Sequence, residues 1–497
     1  MEFSPAPEAD DARRTRSLDS PAAREDTRPG LSLAGRREQA LHHAMARVLG
    51  AWSEFDHARD HETEVSPALR DLLEREVPEE GTDVIEILDR AGEVLDASLA
   101  QSRPRYFAFI GSSGLEVGAL ADLLAATYDT NLAVDARAAT DLEWQTVTWL
   151  ATFLGFPAST GTFTSGGTLS NITALASARE RALPGSRTSG LGGARPTLYC
   201  SSEAHYSITR AAEILGIGAS AVRAIDIDSE RRMRVDLTRE ALRRDRTEGY
   251  VPVAIVATAG TTLTGAVDPL ADLADVAKEF GVWLHVDGAY GLPAAAVPER
   301  RPLFRGLEDA DSITVDCHKW MFVPKACSAV LVKDLGALAR TFSHDEAYMP
   351  HDGHSYNAVD ITLEYSRPLR ALKLWMAFAV HGASTMRDAI RRNCEQAEAL
   401  YDAAAQRPLI ETLTTRPSLS IVPFRVVPPE CGDVNAHTTA LCTQLQRDGR
   451  VYVSPATIDS TEWLRPCFTN FRTTHDDVMA LLDIAEELGR SCDSLHE

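Results

Sequence analysis

The chain has 497 residues, 44% of them hydrophobic and 25% charged, and a formal net charge of −22. This length allows two or three domains with a large buried core, and the composition is typical of a globular protein. The acidic balance argues against a nucleic acid or an anionic membrane as partner, since both require basic surfaces. No apolar run reaches the ~18 residues of a membrane span and the N-terminus has no signal pattern, so we expect a cytoplasmic location. The eight cysteines lack metal-ligand spacing such as C-x2-C, so no metal site is predicted.

The N-terminal part of the chain divides into a tail and a helical segment. Residues 1–36 are polar and rich in Pro, Ala, Arg, Asp and Ser, which predicts a disordered tail. Residues 37–130 carry apolar positions at helical spacing, and Thr82 or Asp83 is a candidate cap for one of these helices. Between the helices, the aromatic-rich segment 103–114 is predicted to be non-helical.

The middle of the chain predicts an α/β domain. From residue 162 to about 332, short apolar strands alternate with helical patterns, which is typical of βαβ units and a mostly parallel sheet. We assign residues 131–368 to this large domain. A long helix is predicted from about Leu369 to Ala405, followed by a smaller C-terminal α+β domain, and together these occupy residues 369–497.

Two strand ends in the large domain bring chemically suitable side chains together. The apolar run GVWLHV ends at Asp287, and the stretch SITV is followed by His318 and Lys319. Because ligands of open α/β sheets bind at the carboxyl ends of the strands, we expect these side chains to share a site. A lysine and an acid in these positions fit a pyridoxal 5′-phosphate (PLP) site. The lysine forms a Schiff base with the cofactor, and the carboxylate keeps its pyridine nitrogen protonated.

The same segment resembles the group II PLP-dependent decarboxylases, which act on glutamate, aromatic amino acids, histidine and tyrosine. The resemblance covers residues 103–489, and its D-x-A and H-K-W motifs are matched by Asp287, Ala289, His318, Lys319 and Trp320. It implies a PLP-dependent transferase fold of type I, PLP as cofactor and an L-amino acid as substrate. It also implies a homodimer, in which residues 37–130 complete the active site and the dimer interface.

The resemblance assigns cofactor contacts residue by residue. In TFTSGGTLSN, where a strand gives way to a helix, Gly167 and Thr168 match the phosphate-binding pair, and helix N-termini favour phosphate. His318 matches a further phosphate contact. The residues implied to contact the ring or to complete the cofactor site are His205 above the ring, Ala289 beneath it, Thr262 facing it, and Ser366 in a turn that serves the partner's site. A structural histidine or a turn hydroxyl would give the same local pattern at His205 or Thr262.

Substrate contacts are also implied by the resemblance. Arg465 matches an arginine that orients the α-carboxylate, although a salt-bridged arginine between domains would look the same. Phe109 and Ser112 match the segment that lines the side-chain pocket. Asp129 and Asn131 stand where enzymes for aromatic substrates are apolar, so we expect a substrate with a polar side chain.

The reaction outcome depends on a loop between Met349 and Ser366. The family places a tyrosine there that protonates the substrate carbon after decarboxylation, and Tyr356 lies two residues from the expected position. If Tyr356 serves, the product is an amine. If it does not, the alternatives are oxidative deamination to an aldehyde with O2, or β-elimination of a cysteine-derived substrate. A non-catalytic protein of the same fold, acting as an interaction partner, is a third interpretation, and the intact Asp287, His318 and Lys319 argue against it.

Overall fold

The protein is described here by a computed structural model that covers residues 31–57, 60, 63–344 and 357–491. The helices are α1 (Arg37–Phe55), α2 (Pro67–Leu73), α3 (Val84–Asp96), α4 (Glu116–Tyr128), α5 (Ala138–Leu154), α6 (Gly167–Ala182), α7 (Ser186–Ser189), α8 (Ser207–Ile214), α9 (Val235–Thr247), α10 (Leu270–Phe280), α11 (Ala337–Phe342), α12 (Ala371–Ala404), α13 (Val434–Asp448) and α14 (His475–Leu488). Short 3-10 helices cover Ala34–Arg36, Ala219–Ala221, Leu292–Ala296, Arg301–Phe304, Leu307–Asp309 and Ala358–Ile361. The strands are β1 (Thr160–Thr164), β2 (Pro196–Ser201), β3 (Val222–Ile225), β4 (Val251–Thr258), β5 (Trp283–Asp287), β6 (Ser312–Val315), β7 (Ser328–Val332), β8 (Ile410–Thr412), β9 (Phe424–Val426), β10 (Ser454–Ile458) and β11 (Thr461–Arg465).

A seven-stranded sheet forms the centre of the large domain, in the order β1-β7-β6-β5-β4-β2-β3. Strands β3, β2, β4, β5 and β6 run parallel, and β7 is antiparallel to both of its neighbours. The prediction of a mostly parallel sheet is therefore confirmed. The register pairs Asp287 with Thr258 on one side and with Thr314 on the other, so three strands end at the same edge.

The buried character of the central strands explains why their sequences were recognisable. Every residue of β2, β5 and β6 is buried, as expected for strands covered by helices on both faces. Strand β3 lies at the edge of the sheet and is mostly accessible, so its sequence VRAI lacks the apolar run that marked the others. That strand was not predicted.

The C-terminal domain is an antiparallel four-stranded sheet in the order β10-β11-β9-β8. Its core contains Phe424, Leu441, Leu464 and Leu481. Helix α14 begins with a capping box, in which the Thr474 side chain and its backbone N–H exchange hydrogen bonds with residue 477. The predicted α+β character is confirmed, and helix α12 connects the two domains as expected. The backbone of α12 departs from helical geometry at Gly382, where φ is 74°.

The N-terminal helices α1 and α3 pack against each other, and Asp83 caps α3 by accepting from the backbone N–H of Ile85. The predicted disordered tail lies outside the described residues up to residue 30. Its last residues differ from the prediction: Ala34–Arg36 form a 3-10 turn, and Arg36 pairs with Asp83. Within the described ranges, no helix combines the length and the apolar character needed to cross a membrane.

Candidate active site

A cavity of about 260 Å³ lies at the carboxyl edge of the large sheet, where it meets the C-terminal domain. Several predicted site residues contribute to its wall: Phe109, Gly167, Thr168, His205, Thr262, Asp287, Ala289, Lys319 and Arg465. The same wall contains residues that the sequence reasoning missed: Ile110, Asn171, Ser207, Thr258, Gly260, Tyr290 and Asp316. The edge of the sheet predicted from the strand pattern is thus where the side chains converge.

Lys319 follows β6 and forms an ion pair inside the cavity. Its Nζ lies 2.9 Å from Oδ2 of Asp316, whose Oδ1 is buried and has no partner in the described part of the chain. Burial lowers the pKa of the Lys319 amine, but the carboxylates of Asp316 and Asp287 raise it, and the net pKa is above the ordinary lysine value. The amine is therefore held as an ammonium that is paired with the Asp316 carboxylate.

Asp287 ends β5 and is 5% exposed. Its Oδ2 accepts a hydrogen bond from Nδ2 of Asn171 at 2.9 Å, and its Oδ1 accepts one from the backbone N–H of Ala289 at 3.1 Å. Both oxygens are thus anchored by neutral donors, while the carboxylate still lines the cavity. This arrangement leaves its negative charge available to a cationic group bound there.

His205 follows β2 on the way to α8. Its Nδ1 lies 2.9 Å from Oγ of Ser207 and 3.3 Å from the Ser207 backbone nitrogen. Burial lowers the pKa of His205 more than the nearby charge of Asp287 raises it, so the net pKa is below the ordinary value. The imidazole is therefore neutral at physiological pH.

The first turn of α6 forms a tight backbone cradle at the cavity wall. A Cβ at Gly167 would lie 3.0 Å from both carboxylate oxygens of Asp316 and 3.1 Å from Cβ of Ala289, so the helix packs closely here and a side chain would push on these neighbours. The amides of Gly167 and Thr168 belong to the first helical turn, for which a helix supplies no internal acceptor. Such N–H groups, together with the helix dipole, favour an anionic ligand.

Arg465 reaches the cavity from β11 of the C-terminal domain and is only 4% exposed. Both terminal nitrogens donate to the backbone carbonyl of Phe109, at 2.9 and 3.3 Å. No acidic side chain of the described residues pairs with its guanidinium, and burial lowers the pKa of that group. A buried cation without a counter-charge, facing a cavity, is suited to a carboxylate ligand. The alternative of a salt-bridged arginine between domains does not hold for the described residues.

His318 and Ser112 are among the predicted site residues that the cavity wall does not include. The His318 ring is hydrogen-bonded to the backbone of Cys327 through Nδ1, and its Nε2 lies 3.8 Å from Oδ2 of Asp316. His318 therefore lies next to Asp316 and to the start of α6, outside the cavity wall. The Ser112 hydroxyl donates to the carbonyl of Val323 at 3.0 Å and is buried away from the cavity.

A second group of predicted residues lies together on the surface, away from this cavity. Nδ2 of Asn131 is 3.5 Å from Oγ of Ser366, and its Oδ1 accepts from the backbone N–H of Ala133 and Arg367. Asp129 is exposed at the end of α4, with φ of 47°. Tyr356 and the earlier Tyr348 fall outside the described residues. Within this chain, Asp129, Asn131 and Ser366 do not share the cavity with Lys319.

Two of the missed residues carried a recognisable sequence signal. Asn171 stands four positions after Gly167 and therefore lies on the same face of α6, one turn further along. Asp316 stands three positions before Lys319 at the end of β6. Ser207 and Tyr290 gave no such signal, because their contribution depends on how α8 and the C-terminal domain pack around the cavity.

Comparison with known proteins gives concordant matches. Residues 67–427 match the family described as pyridoxal-dependent decarboxylase conserved domain. An aromatic-L-amino-acid decarboxylase of Bacillus atrophaeus is 32% identical over 448 residues, which span 86% of this chain and 91% of the relative. An L-2,4-diaminobutyrate decarboxylase of Rhizobium meliloti (strain 1021) is 33% identical over 432 residues, 84% of this chain and 85% of the relative. The crystal structure of mouse CSAD matches with a TM-score of 0.84 and 26% identity, over 91% of this chain and 98% of that chain.

Proposed function

The chain belongs to the pyridoxal-dependent decarboxylase family, and we propose that it converts an L-amino acid into CO2 and the corresponding amine. Its cofactor is PLP. The observation that carries the proposal is the convergence of Lys319, Asp287 and the uncompensated Arg465 on one cavity. The amine of Lys319 can bond to an aldehyde, the carboxylate of Asp287 can pair with a cationic ring nitrogen, and the guanidinium of Arg465 can bind a carboxylate.

The residues of the cavity fit the cofactor. Lys319 would hold its aldehyde carbon, Asp287 its ring nitrogen, and the first turn of α6 its phosphate. The tight cradle at Gly167 supports a polar ligand filling this space, and so does the buried Oγ1 of Thr258, which has no partner among the described residues. When bound, PLP supplies an electron sink for the electron pair that loss of CO2 leaves on the substrate's Cα.

The protein groups then have separate tasks. The negative charge of Asp287 raises the pKa of the adjacent ring nitrogen, which keeps that nitrogen protonated. Arg465, held by the carbonyl of Phe109, would bind the substrate carboxylate and orient the bond that breaks. Lys319 must lose a proton before its nitrogen can bond to carbon, and its ion pair with Oδ2 of Asp316, at 2.9 Å, opposes that loss because it stabilises the ammonium.

We propose a homodimer in which the surface group around Asn131 and Ser366 completes the partner's cavity. Large apolar side chains are exposed on α1, α3 and α4, including Leu49, Leu95 and Tyr128, and an interface between subunits would bury them. Light scattering should give twice the chain mass. Mixing Lys319→Ala with Tyr356→Phe subunits should restore amine formation, because one mixed site would contain both native residues. A monomer, or no restoration, would contradict the shared site.

We propose that the substrate has a polar side chain and that its Cα is protonated after loss of CO2. A polar side chain is supported by Asp129 and Asn131 if the partner places them at the cavity, and one relative is named for L-2,4-diaminobutyrate. Protonation of Cα by Tyr356 gives the amine. If Tyr356 does not protonate Cα, O2 and water would serve as co-reactants and the products would be an aldehyde, ammonia and hydrogen peroxide. Elimination from a cysteine-derived substrate is the other alternative.

The test is an aerobic assay of the purified PLP-loaded protein with L-amino acids carrying 13C in the carboxyl group, including cysteine conjugates. We expect labelled CO2 and an amine, detected by mass spectrometry, and none of either from Lys319→Ala. Formation of an aldehyde and hydrogen peroxide, with no amine, would show that the enzyme couples decarboxylation to oxidative deamination. Absence of labelled CO2 with every substrate would overturn decarboxylation.

A further inference from the structure

A chain of buried hydrogen bonds runs through the sheet towards the cavity and ends at Asn171. Nε1 of Trp283 donates to Oγ of Ser312 at 2.8 Å, and the same oxygen lies 2.8 Å from Nδ1 of His285. On its other side, Nε2 of His285 lies 3.0 Å from Oδ1 of Asn171. All four side chains are buried, and Nε2 of His285 also has Oγ1 of Thr314 at 3.5 Å, which is longer than its 3.0 Å distance to Asn171.

From Asn171 the network divides into two branches that both reach the cavity. Nδ2 donates to Oδ2 of Asp287 at 2.9 Å and to Oγ of Ser207 at 3.0 Å. The Ser207 oxygen in turn lies 2.9 Å from Nδ1 of His205. One amide group is thus in contact with the cavity's carboxylate and, through one hydroxyl, with its histidine.

The positions of the protons in the deep half follow from the donor inventory. The Asn171 amide has two hydrogens, and Asp287 and Ser207 take both, so its oxygen must accept from Nε2–H of His285. Burial lowers the pKa of His285 to about 4, so the ring is neutral and Nδ1 carries no hydrogen. Ser312 can then donate to Nδ1 while accepting from Trp283. The reversed amide would point its oxygen at the Asp287 carboxylate, which has no hydrogen to give.

The same reasoning determines the tautomer of His205. Because Ser207 accepts from Asn171, the single hydrogen of its hydroxyl is free to point at Nδ1 of His205. The Ser207 backbone N–H is directed at the same nitrogen, at 3.3 Å. Nδ1 is therefore an acceptor, and the one proton of the neutral ring stands on Nε2.

We propose that Asn171 is a positioning residue that fixes the Asp287 carboxylate and makes His205 an Nε2–H donor towards the cavity. In the proposed reaction, on which this consequence rests, His205 would donate a hydrogen bond to an oxygen of the cofactor or substrate and would not remove a proton. Asn171 thus links His205, through Ser207, to the Asp287 carboxylate that would hold the ring nitrogen. The tautomer itself is a property of the chain and does not depend on the reaction.

The first test is nitrogen NMR of the full-length PLP-loaded protein with 15N-labelled histidine, in which the His205 signals are identified by their loss in His205→Gln. We expect a protonated Nε2 and an unprotonated Nδ1 for both His205 and His285. In Asn171→Ala the two nitrogens of His205 should shift towards averaged values. Ser170→Ala is the matched control, since Ser170 is buried on the same helix and bonds Thr164 and Ser328 instead. A proton on Nδ1 of His205 would overturn the proposal.

The second test is the affinity for PLP, measured by titrating the cofactor-free form and following absorbance. Loss of a hydrogen bond to a charged group predicts a dissociation constant raised about 10- to 150-fold in Asn171→Ala. Ser207→Ala should leave the affinity within about threefold but lower kcat with KM unchanged, because only the branch to His205 is cut. An Asn171→Ala protein with wild-type affinity would overturn the proposal. A protein that binds PLP but releases no CO2 would contradict the proposed function and leave the tautomer result standing.

Discussion

Replacing Arg465 with Met separates a ligand-binding arginine from a packing arginine. Arg465 is buried, and its guanidinium bonds only to the carbonyl of Phe109 among the described groups. Methionine has a similar reach but no charge. If the arginine exists to bind a carboxylate, the substitution should impair substrate use while leaving the fold intact.

Two opposing free-energy contributions set the expected stability of Arg465→Met: the hydrogen bonds that are lost and the cost of burying an uncompensated charge, which is removed. A hydrogen bond from a charged group contributes about 1.5–3 kcal/mol, whereas an uncompensated buried ion costs several kcal/mol. We therefore expect the free energy of unfolding of Arg465→Met to stay within about 1 kcal/mol of the wild type or to rise. The substrate loses a charged partner, so kcat/KM should fall about 10- to 150-fold.

The assay combines urea unfolding of the PLP-loaded protein with the steady-state rate of CO2 release. Arg367→Met is the matched control, because Arg367 is equally buried but forms an ion pair with Glu143, at 2.6 Å between Nη2 and Oε1. Removing it leaves a buried carboxylate unpaired, which should cost about 3–5 kcal/mol. If Arg465→Met loses as much stability as Arg367→Met, or keeps wild-type kcat/KM, the assignment of Arg465 to the substrate is refuted.

Three further predictions concern the cofactor and the loop. Gly167→Ala should weaken PLP binding roughly 5- to 150-fold, because the new methyl group would displace Asp316 and Ala289, which lie 3.0 and 3.1 Å from its position. Gly166→Ala is the control, because its nearest neighbour would be 4.0 Å away, and equal affinities in both variants would contradict the cradle. Asp316 raises the pKa of Lys319, and only the unprotonated amine reacts with the aldehyde, so the rate of PLP uptake should increase with rising pH. Asp316→Asn should shift this increase in rate to lower pH. An unchanged pH profile in stopped-flow absorbance would show that the Lys319–Asp316 ion pair does not control the protonation of the amine. Tyr356→Phe should divert product from amine towards aldehyde with peroxide, and an unchanged amine yield by mass spectrometry would exclude Tyr356 as the proton donor.

The elements with strong local patterns were predicted with nearly correct bounds. The helix predicted from Leu369 to Ala405 spans Ala371–Ala404, and the strand ending at Asp287 is β5. Fully buried parallel strands and capped amphipathic helices carry their signal within a few neighbouring residues. Short strands such as β3, β8 and β10 lack a long apolar run, and they were missed because their pairing comes from the neighbouring strands.

Site residues could be predicted from the sequence only where they belong to a recognisable motif. The strand-end positions of Asp287 and Lys319, and the start of α6 at Gly167, followed from residue order and from the family resemblance. The prediction for Ser112 gained no support, because its hydroxyl is used by Val323. Asn131 and Ser366 lie on another surface of the same subunit, so their predicted roles depend on a second copy of the chain.

The sequence by itself determined the α/β class, the order of the strongly patterned elements, the family and the chemical types at the strand ends, because these depend on patterns within short stretches. Only the tertiary structure decided which distant side chains meet. Asn171 and Asp287 are separated by 116 positions and Arg465 and Phe109 by 356, yet each pair is in contact. Their contacts depend on strand order, register and the packing of two domains, which no local pattern encodes.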